Sequence, residues 1–383
     1  MKNLLSFRSS LCIAFLMVSG GLLLTADDST GGRDESYFWD NPLEIEVKGT
    51  DMAFTDEIFT NVRNQNIFFM TRFNNGWVFM TSYFGFRTRS GFIDRWGIYV
   101  VVTDPEGNQH FTTHEIKRRD IRFAGNRLYI TDGQNSIEGG GMYYRVKYDM
   151  PGFSCDLVYR NILPPWKPGD GMEYFSDDGE VYEMRTVNCP WADVTGTMTV
   201  DGDEMNVVGE GYSEFSLLII PFRFMNPALH AIRVFSPDGT PKDERWHLGI
   251  LDYINHDHWG GDRFPRLILG HGNEFVITTK DYTIQELDWA PAPGTPWEFP
   301  RRLEISYRKN GYVFEGTYRS HMIFNITDIF DEIPEFIQEF LLLFMSRPVY
   351  IRNLGEFEGS LITPDGRLHR LHLYGPYEYL LTK

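Results

Sequence analysis

Gly196-Thr197-Met198-Thr199-Val200 leads into Asp201-Gly202, and the chain returns through a run that ends in Gly211-Tyr212-Ser213-Glu214. Met198 and Val200 alternate with threonines, the period-2 pattern of an antiparallel strand with one apolar and one polar face. Asp-Gly between two such runs accepts the positive φ of a tight hairpin. The pattern recurs far downstream. Gly359 opens a strand, Asp365-Gly366 turns it, and the return run ends in Gly375-Pro376-Tyr377-Glu378, with Leu368, Arg370 and His372 alternating against His369, Leu371 and Leu373. Two similar hairpins this far apart point to two copies of one unit. The competing reading is chance likeness between β-hairpins.

Working outward, the same punctuation repeats. Asn74-Asn75-Gly76 separates runs 66–73 and 77–84, Asp104-Pro105-Glu106-Gly107 separates 96–103 and 109–116, and Asn310-Gly311 separates 303–307 and 312–318. Many short strands with closely spaced turns predict an all-β antiparallel sandwich or barrel. At 383 residues the chain has length for two cores. Ser236-Pro237-Asp238-Gly239-Thr240-Pro241 breaks the strands and is the expected seam. The expected organisation is therefore a first barrel over 37–235 and a second over 243–383.

Residues 1–26 read as a secretory signal peptide. Lys2 and Arg8 are basic, 11–24 is mostly apolar, and Thr25-Ala26 precedes Asp27-Asp28. Retention as an uncleaved anchor is the alternative, and 27–36 is a polar linker. Export, to a periplasm or medium or with the N-terminus in a membrane, is thus expected. Cys155 and Cys189 would then remain, and they either pair as a disulfide or stay as two buried thiols. The net charge of -17 argues against a nucleic-acid partner, because phosphate binding needs Lys and Arg.

One segment has helical spacing. Across 329–345, Ile333, Phe336, Ile337, Phe340, Leu341 and Phe344 share a face, with Asp328, Asp331 and Glu332 near the start. An amphipathic helix near the C-terminus is predicted. It either packs across a barrel or acts as a hydrophobic lid or membrane-docking element, so membrane contact is expected through this helix or through the N-terminal segment.

The stretch Val194-Thr195-Gly196-Thr197-Met198, then Gly209-Glu210-Gly211-Tyr212, then Met225-Asn226-Pro227-Ala228-Leu229-His230-Ala231-Ile232-Arg233 resembles the junction region of the fungal survival-factor family. Those are tandem lipocalin-like proteins related to the AttH-like and hydroxyneurosporene synthase (carotenoid 1,2-hydratase) group. The strand 77–86 is similar to that family's opening strand, and Phe299-Pro300-Arg301-Arg302-Leu303-Glu304-Ile305 to a strand of its second barrel. The likeness is patchy along most of the chain. It implies two tandem lipocalin-like β-barrels, and a lipid or isoprenoid as ligand.

The aromatic share of 15%, with 30 Phe and 20 Tyr, suits an apolar binding cavity as well as large β cores. Trp77, Phe79, Trp96, Tyr212 and Trp259 are the expected ligand-lining residues. Hydration of an isoprenoid would need a positioned acid. The resemblance puts Glu214 in that place, but the Asp-His partners of the hydroxyneurosporene synthase group are missing. His256-Asp257-His258-Trp259 is a second polar cluster, in which Asp257 and His258 are catalytic candidates. A bare His-x-His is a weak metal signal, and a ligand-orienting loop explains it as well. No metal site or cofactor is expected. Carriage of a hydrophobic small molecule is therefore the leading expectation, with a lean away from catalysis. The alternative is an isoprenoid hydratase, cyclase or isomerase using a buried carboxylate. Oligomeric state is not legible.

Overall fold

The computed structural model describes residues 46–59, 61–89, 91, 94–176, 178–220, 228–254, 257–259, 261, 263–328 and 348–382. The chain divides into two units. The expected signal peptide or anchor, the linker and the 329–345 helix lie outside the described residues. Among the described residues the only helices are short 3-10 turns, and none is long and apolar enough to cross a membrane.

The first unit is one antiparallel sheet of β1 (Arg63–Phe73), β2 (Val78–Arg87), β3 (Asp94–Thr103), β4 (Gln109–Ile116), β5 (Arg122–Phe123), β6 (Leu128–Thr131), β7 (Ser136–Gly140), β8 (Tyr143–Met150), β9 (Phe153–Asn161), β10 (Met172–Tyr174), β11 (Tyr182–Val200) and β12 (Asp203–Ile219). Its order is β4-β3-β2-β1-β12-β11-β9-β8-β7-β6-β5, with β10 beside β11. The second unit holds β13 (Ala228–Phe235), β14 (Trp246–Ile254), β15 (Arg263–His271), β16 (Glu274–Thr279), β17 (Tyr282–Pro291), β18 (Glu298–Lys309), β19 (Tyr312–Asp328), β20 (Pro348–Ile362) and β21 (Leu368–Thr382). Its order is β16-β15-β14-β13-β21-β20-β19-β18-β17.

Two closed barrels were expected, and this is corrected. β4 does not pair with β5, nor β16 with β17, so both sheets keep free edges. The apolar alternation still forces each sheet to curl, because one face of nearly every strand joins a single core. Closure needs the first and last strands to meet in register, and the two-residue β5 offers almost no ladder for that. The seam also moves. β13 pairs with β14 and β21, so it belongs to the second unit, and 236–245 is a hairpin loop in which Ser236 N–H donates to Trp246 O at 3.0 Å.

The two predicted echo hairpins are β11–β12 and β20–β21. Asp201 at φ 50° and Gly202 at φ 97° make the first turn as expected of Asp-Gly. The strands run far beyond the quoted stretches, to 19 residues in β11. Cys189-Pro190-Trp191 lies at a register shift there, where a proline does not interrupt the ladder.

The registers superpose the units. Phe73 N–H donates to Trp77 O across the first hairpin, and Ser236 N–H to Trp246 O across its counterpart. Gly196 faces Leu157 two residues before Tyr159, as Gly359 faces Gly316 two residues before Tyr318. A Cβ on either glycine would press on a neighbouring carbonyl oxygen, at 2.0 Å from Asp156 and 2.6 Å from Glu315, so this crossing needs glycine in both copies.

Candidate functional site

With that superposition, one end of each concave face can be compared strand by strand. In the first unit Ile67 lies opposite Tyr83 and Phe215, with Trp96 on β3. All four are fully buried. Phe54, from the segment before β1, reaches Tyr83, Trp96, Phe123 and Phe215 with ring centroids 5.3–6.3 Å away. Arg63 and Gln65 latch that segment, since Arg63 Nη1 donates to Thr55 O at 2.6 Å and to Glu57 O at 3.0 Å, and Gln65 Nε2 donates to Thr55 O at 2.9 Å. The first sheet therefore fills this end with rings.

The second sheet puts ionisable groups at the matching positions. His230 lies opposite Asp252 and Tyr379, Tyr377 follows two residues before Tyr379, and Arg263 stands where Trp96 stands in the first unit. Each sits on the apolar half of an alternating strand: His230 with Ile232 and Val234, Asp252 with Leu248 and Ile250, and Glu286 with Tyr282 and Ile284.

His230 bridges two partners. Its Nε2 lies 2.7 Å from Glu286 Oε1, and its Nδ1 lies 2.8 Å from Tyr377 Oη. A carboxylate only accepts, so Nε2 carries its proton toward Glu286, and in that tautomer Nδ1 accepts the Tyr377 hydroxyl. The His230 and Tyr377 rings are nearly parallel, at 7°, and Tyr318 meets Tyr377 edge-on at 5.5 Å. Burial, then the neighbouring Tyr379, Glu286, Tyr318 and Asp252, hold the Tyr377 phenol well above its ordinary pKa, which keeps it protonated. His230 and Tyr377 are buried, whereas the Glu286 side chain is 32% exposed, so the relay runs from the interior to an accessible end.

Asp252 forms a second pair beside it. Arg263 Nε donates to both carboxylate oxygens at 2.8 and 2.9 Å, Nη2 donates to Oδ2, and the guanidinium lies 5.4 Å over the Tyr282 ring. Burial works against the Arg263 charge, but the hydrogen bonds and charge of Asp252 outweigh it and raise its pKa.

The residues expected from sequence are not gathered in one place. Phe79 and Trp96 belong to the first unit's core, where Phe79 stacks on Phe153 at 5.8 Å. Trp77 is partly buried and stacks against His110 at 6.1 Å. Tyr212 and Glu214 lie on the opposite face of the same sheet, out of phase with core residues Phe215 and Leu217. Glu214 accepts from Arg185 Nη1 at 2.7 Å and from the Tyr212 hydroxyl at 2.6 Å. Its counterpart Glu378 is held instead by two arginines, Arg233 at 3.0 Å and Arg352 at 2.6 Å. Asp257 and His258 are exposed on the 3-10 turn Asp257–Trp259, and His256 lies outside the described residues. Among the described residues no group of three or more His, Cys, Asp or Glu is placed to hold a metal ion.

The disulfide expectation is corrected, because Cys155 and Cys189 are both free and buried. Cys155 faces Met198 across the β9–β11 ladder, on the order of 25–30 Å along β11 from Cys189 at the usual strand rise. Burial raises the pKa of both thiols.

Sequence reading passed over His230, Asp252 and Glu286. Their signal was present as an ionisable residue in the apolar phase of a strand, but each occurs singly and far from the others in the chain.

No family model matches the chain, and no curated protein matches it in sequence. Solved structures do match its fold. CghA, determined with Sch210972, aligns with a TM-score of 0.61 and 12% identity over 91% of this chain and 97% of that one. An AttH-like protein from Nitrosomonas europaea gives 0.59 and 13% over 88% and 96%. Kievitone hydratase from Nectria haematococca gives 0.51 and 10% over 89% and 97%. The chain thus shares the AttH, CghA and kievitone hydratase fold at a distance that shows no membership of a particular family. The lean away from catalysis is also corrected, since a protein named as a hydratase is built on this fold.

Proposed function

We propose that the chain is an enzyme acting on an apolar small molecule, in a hydration, cyclisation or isomerisation, with the chemistry on the concave face of the second sheet. The observation that carries this reading is the hydrogen-bonded chain from buried Tyr377 and His230 to partly exposed Glu286, set into an apolar surface. In the imidazolium state, Tyr377 gives its phenolic proton to the substrate and recovers one from His230 Nδ1. In the neutral state, Tyr377 takes a proton from the substrate side as its own passes to His230 Nδ1, and Glu286 stabilises the imidazolium. A hydration uses both halves: one proton enters the substrate, one leaves the attacking water, and the relay is restored. The fold shared with kievitone hydratase favours this reading.

The test is incubation in D2O with an organic-soluble extract of the producing cells, read by high-resolution mass spectrometry. Wild-type protein is expected to convert a compound with gain of the elements of D2O or of single deuterium atoms, and Tyr377→Phe to lose about 10²–10⁴ of that rate. Conversion that is absent, or equal in the variant, sinks the proposal.

A further inference from the structure

Trp289 sits at the edge of the same site for a reason visible in the backbone. Along β17, Tyr282, Ile284 and Glu286 face the core, so strict alternation would turn Asp288 inward and Trp289 outward. The reverse is observed. Asp288 has φ 53°, in the left-handed region, and leaves the ladder alone, while Leu287 opposite Arg302 and Trp289 opposite Pro300 keep one register. Its carboxylate turns to the outer side, where it accepts from Arg302 Nε at 2.8 Å, and Arg302 Nη1 also donates to Glu304 at 2.9 Å. The Trp289 ring meets Tyr379 edge-on at 6.0 Å, and Tyr379 in turn lies 5.2 Å from His230. Trp289 is 46% exposed, so much of the indole is left uncovered beside the relay.

A left-handed aspartate inside a strand is unfavourable for its own sake. Here it moves the largest apolar side chain of the strand onto the working face. We propose that Trp289 is a specificity-determining wall, which selects substrates with a flat, unsaturated or aromatic portion by ring contact beside Tyr379. This rests on the proposed site, but it concerns binding and not turnover. An indole face favours flat π-systems over puckered saturated rings of the same skeleton.

The experiment compares 2-naphthol with decahydro-2-naphthol, titrated into the full-length protein by calorimetry. Wild type should prefer the flat probe by about tenfold. Trp289→Ala should erase that preference by weakening 2-naphthol alone, and Trp289→Phe should keep most of it. Asp288→Val, which opposes a positive φ, should behave like Trp289→Ala although the indole is still present. Equal binding of the two probes by wild type, or a preference that survives Trp289→Ala, overturns the proposal. Tyr377→Phe separates the two readings, because it should lower turnover by about 10²–10⁴ while the probe preference stays.

Discussion

The same end of the same sheet is built twice, with opposite chemistry. In the first unit Ile67, Tyr83, Trp96 and Phe215 close around Phe54, and Ser213 is the only polar side chain among the superposed positions that is not aromatic. In the second, His230, Asp252, Arg263, Tyr379 and Tyr377 take those places, and Gly139 is matched by Glu286. Ring packing in the first gains from burial, and the buried Arg63 guanidinium beside it is desolvated 5.8 Å over the Trp96 ring. Ionisable groups gain nothing comparable from being buried there, and each must be paired to persist. That cost is why the proposed function places its chemistry in the second unit.

The comparison breaks most readily at Tyr377. Tyr377→Phe should lower conversion by about 10²–10⁴, while Ser213→Ala at the matching place in the first unit should leave it essentially unchanged. Equal losses would mean that the two units do not differ in this way.

Stability should respond in the other order. Phe54→Ala opens the aromatic cluster and should cost about 3–5 kcal/mol in denaturant unfolding. Trp289→Ala, at an exposed position, should cost under about 1 kcal/mol. A small loss for Phe54→Ala would show that the ring is not the plug of the first sheet.

The pH dependence sharpens the contrast further. His247 is the counterpart of Val78, next after Trp246 and Trp77 respectively. Burial, against a hydrogen bond to Val234 O and with the charge of Arg233, pushes its pKa down to about 3. The unfolded chain therefore takes up this proton first as pH falls. Stability should decline from near pH 6.5 toward pH 3 by about 1.4 kcal/mol per pH unit from this group, and the slope ends below pH 3. His247→Gln should remove that slope, as read from urea unfolding at pH 7 and pH 5. An unchanged slope would place the titration elsewhere.

The smallest effect concerns the thiols. A reductant should leave Tm unchanged, and native protein should react slowly with a thiol reagent, because Cys155 and Cys189 are buried, unpaired and held protonated. A fall in Tm on reduction would contradict the free thiols.

Alternation and turn residues by themselves determined that the chain is antiparallel β. Asp201-Gly202 and Asn310-Gly311 set hairpins through φ, and the Gly196 and Gly359 runs form the hairpins β11–β12 and β20–β21, because these are local properties of a few adjacent residues. The same local pattern misplaced the seam at 236–241, since a proline-glycine loop reads alike between domains and within a hairpin. It also favoured Glu214, whose phase along β12 puts it on the face away from the core. Only the tertiary structure decided that the sheets stay open, because closure depends on edge strands distant in sequence. Only it joined His230, Glu286 and Tyr377, from β13, β17 and β21, since curling a nine-stranded sheet is what brings its distant strands around one core.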